Sequence, residues 1–321
     1  MKNIEFPRDE RLHSKGVEWW YWNGFLTDEK NRNHAFMASL FRVKIPGLRS
    51  FWFIHTFITS IKDKKFDPYI RLFFKGLDRG SFPRGKLEAG SRGVFRIIQK
   101  NSSIFDVQIP RLKLHLVSVK PPMKTGGTGH FDLKASESAS YSLTRLEASG
   151  ELTDNEKVLA VKGLAWMDHQ WSPVRFDNEH AWDWFSIQLD DGTDISVFDF
   201  GRRVHARLAT ISFPDGNVAA TEKIIFKKIG DAWKSLVTGA EYPLSWKIVI
   251  PEHGIEMRVD PVSKNQEMIF GLMNYWEGPI SVKVTVNKKI VYGRGFMELV
   301  GKRWGKSYFK YLFQKFYRFR P

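Results

Sequence analysis

The sequence has no cysteine. That removes disulfide staples, thiolate zinc sites, iron–sulfur clusters and cysteine nucleophiles together. It also lacks any apolar run near the ~20 residues a membrane-spanning helix needs. The stretches around Phe51 and Ile58 are broken by His55, Thr56 and Lys62. The opening residues, MKNIEFPRDERLHSKG, show no apolar central region and no small-residue cleavage site, so a cytoplasmic chain is expected. Acidic charge is scarce: 35 Asp plus Glu stand against 50 Lys plus Arg, for a net charge of +15. Such an excess attracts anionic partners. No RNA-recognition, zinc-finger or helix-turn-helix pattern accompanies it, so nucleic acid is not expected. Helical periodicity is nearly absent, which argues against a Rossmann-type parallel sheet. The Gly126-Gly-Thr-Gly129 cluster precedes no helix pattern and reads as a connection rather than a phosphate loop.

What is present is period two. In Ser281-Val-Lys-Val-Thr-Val286, the three valines share one face and Ser281, Lys283 and Thr285 the other, as in a half-buried strand. Asp191-Gly192, Asp215-Gly216 and Asn287-Lys288 fall between short β-rich segments in the manner of hairpin turns. With 321 residues, 42% of them hydrophobic, the chain is long enough for two domains with a core each. Internal similarity supports that division. Trp19-Trp-Tyr-Trp-Asn-Gly-Phe-Leu-Thr-Asp28 laid over Trp182-Asp-Trp-Phe-Ser-Ile-Gln-Leu-Asp-Asp191 matches Trp19 with Trp182, Leu26 with Leu189 and Asp28 with Asp191, and pairs aromatics at Tyr21/Trp184 and Trp22/Phe185. A duplicated β domain is expected, with residues 1–175 as one antiparallel barrel, 176–301 as a second, and 302–321 as a tail.

Seven of the twelve tryptophans fall in two windows: Trp19, Trp20 and Trp22, then Trp166, Trp171, Trp182 and Trp184. Taken singly, each suits barrel packing, with the indole N–H bonded to a carboxylate such as Glu18 or Asp183. Taken together, Trp166-Met-Asp-His-Gln-Trp171 and Trp182-Asp-Trp184 bring a histidine, two aspartates and several π faces into a short region. A carboxylic acid in an apolar aromatic pocket holds its proton toward neutral pH, and Trp faces stabilise a developing cation. Protonation of an alkene is chemistry that such a site would suit.

Glu18-Trp-Trp-Tyr21 with Gly24, Gly163-Leu-Ala-Trp-Met-Asp-His-Gln-Trp171, Trp182-Asp-Trp-Phe185, Leu189-Asp-Asp-Gly192, Tyr242-Pro-Leu-Ser-Trp246, Tyr275-Trp-Glu-Gly278 and Gly295-Phe-Met-Glu-Leu299 together resemble the carotenoid 1,2-hydratase and AttH-like family, in order across about residues 13 to 301. The resemblance implies an all-β fold of two tandem lipocalin-like antiparallel β-barrels around an apolar cavity. It also implies water addition to a terminal isoprenoid double bond or, as in more distant fungal relatives, cyclisation, so acid-assisted hydration, isomerisation or cyclisation at a double bond is expected. Carried over residue by residue, the hydratase site falls on His169 and Trp171, with Asp199 as the later Asp; the family's Tyr position holds Val197. The expected catalytic set is Asp168, His169, Trp171, Asp183 and Asp199. Trp19, Trp20, Tyr21, Trp182, Trp184, Tyr275 and Trp276 are expected to line the ligand site. The competing expectation is a non-catalytic carrier that uses the same apolar lining for a lipid-like molecule.

Other chemistries fit less well. His169, His180 and Asp183 match no metal-ligand spacing, so neither metal nor cofactor is expected. No Gly-x-Ser-x-Gly elbow is present for a hydrolase. In the tail, Lys302 to Arg320 contains seven basic residues and no acid. At about 100° per residue, Trp304, Phe309, Phe313 and Phe316 share one side of a short helix with Lys310 and Arg318 largely opposite. This reads as a helix docking on an anionic membrane surface from the cytoplasmic side. Its competing reading is a helix that closes a barrel end.

Overall fold

The computed structural model describes residues 3–13, 16–44, 50–73, 87–91, 93–132, 137–172, 181–201, 206–270, 273–286 and 288–301. The expected tail helix, with Trp304, Phe309, Lys310, Phe313, Phe316 and Arg318, lies outside them. The described chain is all-β apart from short 3-10 turns. Its first half forms β1 (Gly16–Asp28), β2 (Asn33–Lys44), β3 (Phe51–Ser60), β4 (Lys65–Phe73), β5 (Glu88–Ser91), β6 (Phe95–Asn101), β7 (Ile104–Ile109), β8 (Leu112–Ser118), β9 (Met123–Lys124), β10 (His130–Asp132), β11 (Glu137–Asp154) and β12 (Lys157–Ser172). The second forms β13 (Asp183–Leu189), β14 (Asp194–Asp199), β15 (Arg207–Ser212), β16 (Val218–Thr221), β17 (Ile225–Ile229), β18 (Trp233–Lys234), β19 (Glu241–Tyr242), β20 (Ser245–Ile250), β21 (Ile255–Pro261), β22 (Glu267–Phe270), β23 (Met273–Val286) and β24 (Lys289–Val300).

Most of these strands build two curled half-barrel sheets, and β18 and β19 pair in a separate two-stranded sheet. The first runs β4-β3-β2-β1-β12-β11-β8-β7-β6-β5 and the second β16-β15-β14-β13-β24-β23-β21-β20-β17. By contacts the chain divides into one unit of Met1–Phe176 with Gly192–Ile195 and Thr210–Ala220, and another of Asp177–Asp191, Ser196–Ala209 and Thr221–Pro321. Alternation explains the outer strands. In β8, Leu112, Leu114 and Leu116 are buried while Lys113 and His115 are exposed. In β23, Val282 and Val284 are buried around exposed Lys283, as the sequence pattern predicts. β1, and β12 from Ala165 onward, are largely buried on both faces, so there the sequence shows no such alternation, whereas the first half of β12 alternates with Leu159 and Val161 buried. The hairpins fall where the turn residues place them: Gly192 (φ 90°) links β13 to β14 and Gly216 (φ 87°) links β15 to β16, in a region of backbone space that favours glycine.

The duplication is visible in the register. β1 and β13 hold the same place in their sheets, each between its hairpin partner and the last long strand of its half. Leu26 lies opposite Gly163, and its counterpart Leu189 lies opposite Gly293. A Cβ on Gly163 would meet the Phe25 carbonyl oxygen at 1.9 Å, and one on Gly293 would meet the Gln188 oxygen at 2.6 Å, so both glycines exist for one close strand approach. The register therefore aligns Gly163-Leu-Ala-Trp-Met-Asp-His169 with Gly293-Arg-Gly-Phe-Met-Glu-Leu299. This second repeated segment follows from pairing rather than from similarity alone.

One buried charge cluster anchors the first unit. Asp194, fully buried, accepts from Lys120 Nζ at 2.9 Å, Arg145 Nη2 at 2.7 Å and Thr144 Oγ1 at 2.9 Å. Lys120 also donates to the carbonyls of Gly192 and Ser212. Breaking a buried pair by removing one partner leaves an uncompensated charge. Asp194→Ala is expected to cost about 3 kcal/mol in urea unfolding. An unchanged midpoint would mean that the two cations find water when the carboxylate is gone.

Candidate active site

Two adjacent cross-strand rows of the first sheet bring the candidate acid–base residues together. One runs Trp52, Arg42, Glu18, Trp171 and Ala139 across β3, β2, β1, β12 and β11. The next runs Ile54, Leu40, Trp20, His169 and Tyr141. Residues in register on one face are side-chain neighbours. Trp20, Trp22, Tyr141 and Met167 belong to the apolar core of this half, so the rows lie on its core face.

Glu18 is the hub. It is fully buried, and its Oε1 accepts from His169 Nε2 at 3.0 Å and from His13 Nδ1 at 2.8 Å. Its Oε2 accepts from the His13 backbone N–H at 3.0 Å and from Arg42 Nη1 at 3.2 Å. Arg42 Nη1 also donates to the His13 carbonyl, which ties the N-terminal segment to the site. Burial alone would raise the Glu18 carboxyl; hydrogen bonds from His13 and His169 outweigh it and hold the group below its ordinary value. Glu18 is therefore an ionised carboxylate.

His169 is fully buried and lies flat on Trp20, with ring centroids 4.7 Å apart and planes at 18°. Tyr141 meets it edge-on at 5.4 Å, and Trp171, itself stacked on His13 at 3.8 Å, is tilted against it at 5.0 Å. With Nε2–H directed at the carboxylate, Nδ1 carries the lone pair, and it has no hydrogen-bond partner. Burial, partly offset by Glu18, holds the imidazole below its ordinary pKa. Burial, with Glu10, Glu18 and Asp9 adding to it, keeps the Tyr141 phenol well above its own. The arrangement thus offers a neutral base oriented by a carboxylate, and a protonated phenol beside it.

His13, Glu18 and His169 also place three ligand atoms within 4.8 Å of one another, a set able to hold a metal ion. The Arg42 guanidinium on the same carboxylate opposes a second cation there, and both rings direct N–H groups at Oε1, so the set reads as a proton network. His180, considered as a ligand from the sequence, lies outside the described residues.

Asp168 takes the other face, since consecutive strand residues point to opposite sides. It belongs to a buried row of His55, Ser39, Tyr21, Asp168 and Ser142 that crosses five strands. Its Oδ1 accepts from Trp166 Nε1 at 2.8 Å and from the Ser142 hydroxyl. Burial lifts this carboxyl to about 7 against those two bonds. Trp19 lies on this face too, half-buried against Phe41, and the Tyr21 hydroxyl accepts from Asn23.

The remaining expected residues belong to the second sheet, and each has its own setting. Asp199 accepts from Arg207 Nε at 3.2 Å and from the Gly201 N–H at 3.1 Å. Asp183 opens β13 and is half-buried. Trp182 donates to Glu298 at 2.8 Å, Trp184 to Ser196 at 3.2 Å and Trp276 to the Lys264 carbonyl at 2.7 Å; Tyr275 is buried beside Trp276 on β23. Indole-to-carboxylate bonds do form, from Trp166 to Asp168 and from Trp182 to Glu298. By the repeat's register, the second sheet carries Leu299 where the first has His169, and Ala181 where it has Glu18. Among the described residues, acid–base equipment of this kind is confined to one copy. Sequence reasoning did not assign Glu18 to His169 and did not find His13, Arg42 or Tyr141; only strand pairing brings them together.

The chain is 25% identical over 193 residues to the kievitone hydratase of Fusarium solani subsp. phaseoli, covering 57% of this chain and 54% of the relative. It is 26% identical over 217 residues to the dehydratase asqC of Emericella nidulans, covering 61% of each. These matches span less than two thirds of the curated relatives' length. Among solved structures, a putative AttH from Nitrosomonas europaea superposes with a TM-score of 0.81 at 24% identity, over 94% of this chain and 97% of that one. Kievitone hydratase from Nectria haematococca gives 0.78 at 19% identity, over 93% of each. At those identities the likeness is one of fold: two tandem barrel domains. The AttH-like family model matches residues 1–302, and the chain belongs to the AttH-like family.

Proposed function

We propose that the protein adds water to, or removes it from, a carbon–carbon double bond of an apolar small molecule, on the core face of the first barrel. The observation that carries this reading is the Glu18–His169 pair, with Nε2 held at 3.0 Å and Nδ1 buried without a partner. A hydro-lyase must move one proton at carbon and another at oxygen, and His169 with Tyr141 supplies two neutral groups for those transfers. The names of the two curated relatives, a hydratase and a dehydratase, support the same class. The aromatic walls of Trp20, Trp52 and Trp171 favour an extended, flat, conjugated ligand such as a polyene or prenylated ring.

The test incubates wild type and His169→Ala with lipid extracts in heavy-oxygen water and follows products by mass spectrometry. Wild type is expected to give species that have gained labelled water or lost water, and the variant about 100-fold less of them. Identical profiles, with the same ligand retained by both proteins, would make the protein a carrier.

We also propose that residues 302–321 dock the protein on anionic membrane, where apolar substrates dissolve. Seven cations favour such a surface, and screening over about 8 Å at physiological salt makes the attraction salt-sensitive. Deleting 302–321 is expected to abolish sedimentation with anionic vesicles while the far-ultraviolet spectrum keeps its β form. Unchanged binding would remove the tail from this role.

A further inference from the structure

Among the described residues, two side-chain atoms on the core face of the first sheet are buried with no hydrogen-bond partner: His169 Nδ1 and Trp22 Nε1. Both residues are 0% exposed. An unmade bond at a buried polar atom is costly, and each such atom in a folded chain calls for an explanation. Trp22 follows Trp20 by two residues, so the two share a face at positions roughly 7 Å apart. Its indole meets Phe105 edge-on at 5.8 Å, while Trp20 carries the His169 ring. One orphan is a lone pair and the other a donor, and the Tyr141 ring meets the His169 imidazole edge-on at 5.4 Å.

An indole N–H only donates, so its partner must be an acceptor such as an oxygen. An isolated alkene has none. Its hydration also begins with protonation on carbon by a strong acid, and the carboxyl at this site is ionised beneath its N–H donors. A base-first reaction fits the same groups, and base-first loss of water needs a C–H made acidic by a neighbouring carbonyl.

We propose that the substrate is a carbonyl compound and that water is added or lost at the carbon β to that carbonyl, interconverting a β-hydroxy ketone and an enone. This rests on the hydro-lyase reading above. In the dehydrating direction, Trp22 Nε1–H donates to the carbonyl oxygen and His169 Nδ1 takes the proton from Cα. The C–H electron pair moves into the enolate, whose oxygen Trp22 holds, and the imidazolium rests between the Trp20 face and Glu18. The enolate then collapses: the Cα=Cβ bond forms, the Cβ–O bond breaks, and the Tyr141 O–H protonates the departing hydroxide. The product water relays the proton from His169 to the Tyr141 phenolate and leaves, so water is the only loss.

The test uses benzalacetone, its water adduct, and prenylbenzene as the isolated-alkene probe, each in deuterium oxide with the full-length protein. Wild type is expected to place deuterium at Cα of the ketones, to interconvert them, and to leave prenylbenzene unchanged. Trp22→Phe should slow both ketone reactions at least about 100-fold. Tyr141→Phe should keep Cα exchange within a few-fold while slowing water loss about 100-fold. A merely structural role for Tyr141 would lower both together. Absence of Cα exchange in wild type overturns the carbonyl assignment, whatever happens to the alkene. If labelled water still appears in the extract experiment, the hydro-lyase reading survives that failure. If it does not, both fall.

Discussion

Glu18→Gln is expected to lower turnover about 1,000-fold while leaving substrate affinity within a few-fold. The physical cause is the tautomer. Glu18 Oε1 accepts from His169 Nε2, which keeps the lone pair on Nδ1. An amide in that place presents either an oxygen without charge or an N–H that repels Nε2–H, and the second case turns the lone pair inward. Comparable loss of a carboxylate behind a catalytic imidazole costs about 10⁴-fold. The substitution also strips Arg42 of its buried counter-charge, with a stability cost of about 3 kcal/mol. The two effects separate in Glu18→Gln/Arg42→Met: removing both charges should restore most of the stability, since apolar replacement of a buried ion pair is often neutral, while turnover stays low. Full turnover in the single variant would show that something other than Glu18 orients His169.

The sheet architecture was legible because local rules produce it. Alternating Val282, Val284 and the Asp-Gly turns report on their own neighbours. The duplication was legible at β1 and β13, where tryptophans and the Leu-to-Asp spacing survive, but not at β12 and β24. There, Gly163/Gly293 and Met167/Met297 are spaced alike among residues that differ, and only the shared register exposes them. The candidate site was half legible. His169 and Trp171 announce themselves as a polar and an aromatic residue in one short motif. Glu18 meets them across 151 positions of sequence, and Arg42 and Tyr141 enter from β2 and β11 by pairing that sequence does not specify. Asp168 shows the opposite limit. Its adjacency to His169 suggests a shared pocket, yet a strand sends adjacent residues to opposite faces, so reading this segment as a strand is enough to separate the two.

Asp168 and His55, on the second face of the same sheet, are expected to set the pH dependence of stability by opposing each other. Burial keeps the Asp168 carboxyl protonated up to about pH 7 in the folded chain, whereas the unfolded chain releases that proton near pH 4. Between those values the folded state holds more protons, so this contribution to stability falls as pH rises. His55 has the reverse sign. Burial pushes its imidazole down to about 3, the unfolded chain holds the proton to about pH 6.5, and this contribution rises with pH across that window. Each slope reaches at most about 1.4 kcal/mol per pH unit, and they nearly cancel from about pH 4 to 6.5. Urea unfolding of Asp168→Asn should therefore show stability relative to wild type climbing by up to about 4 kcal/mol from pH 4 to 7. His55→Gln should show it falling over pH 4 to 6.5. Glu18, Asp28 and Asp106, all held below their ordinary values, are common to every variant and drop out of the differences. Parallel profiles for wild type and both variants would mean that neither group is neutral when folded, and that the buried row beside Tyr21 carries charge.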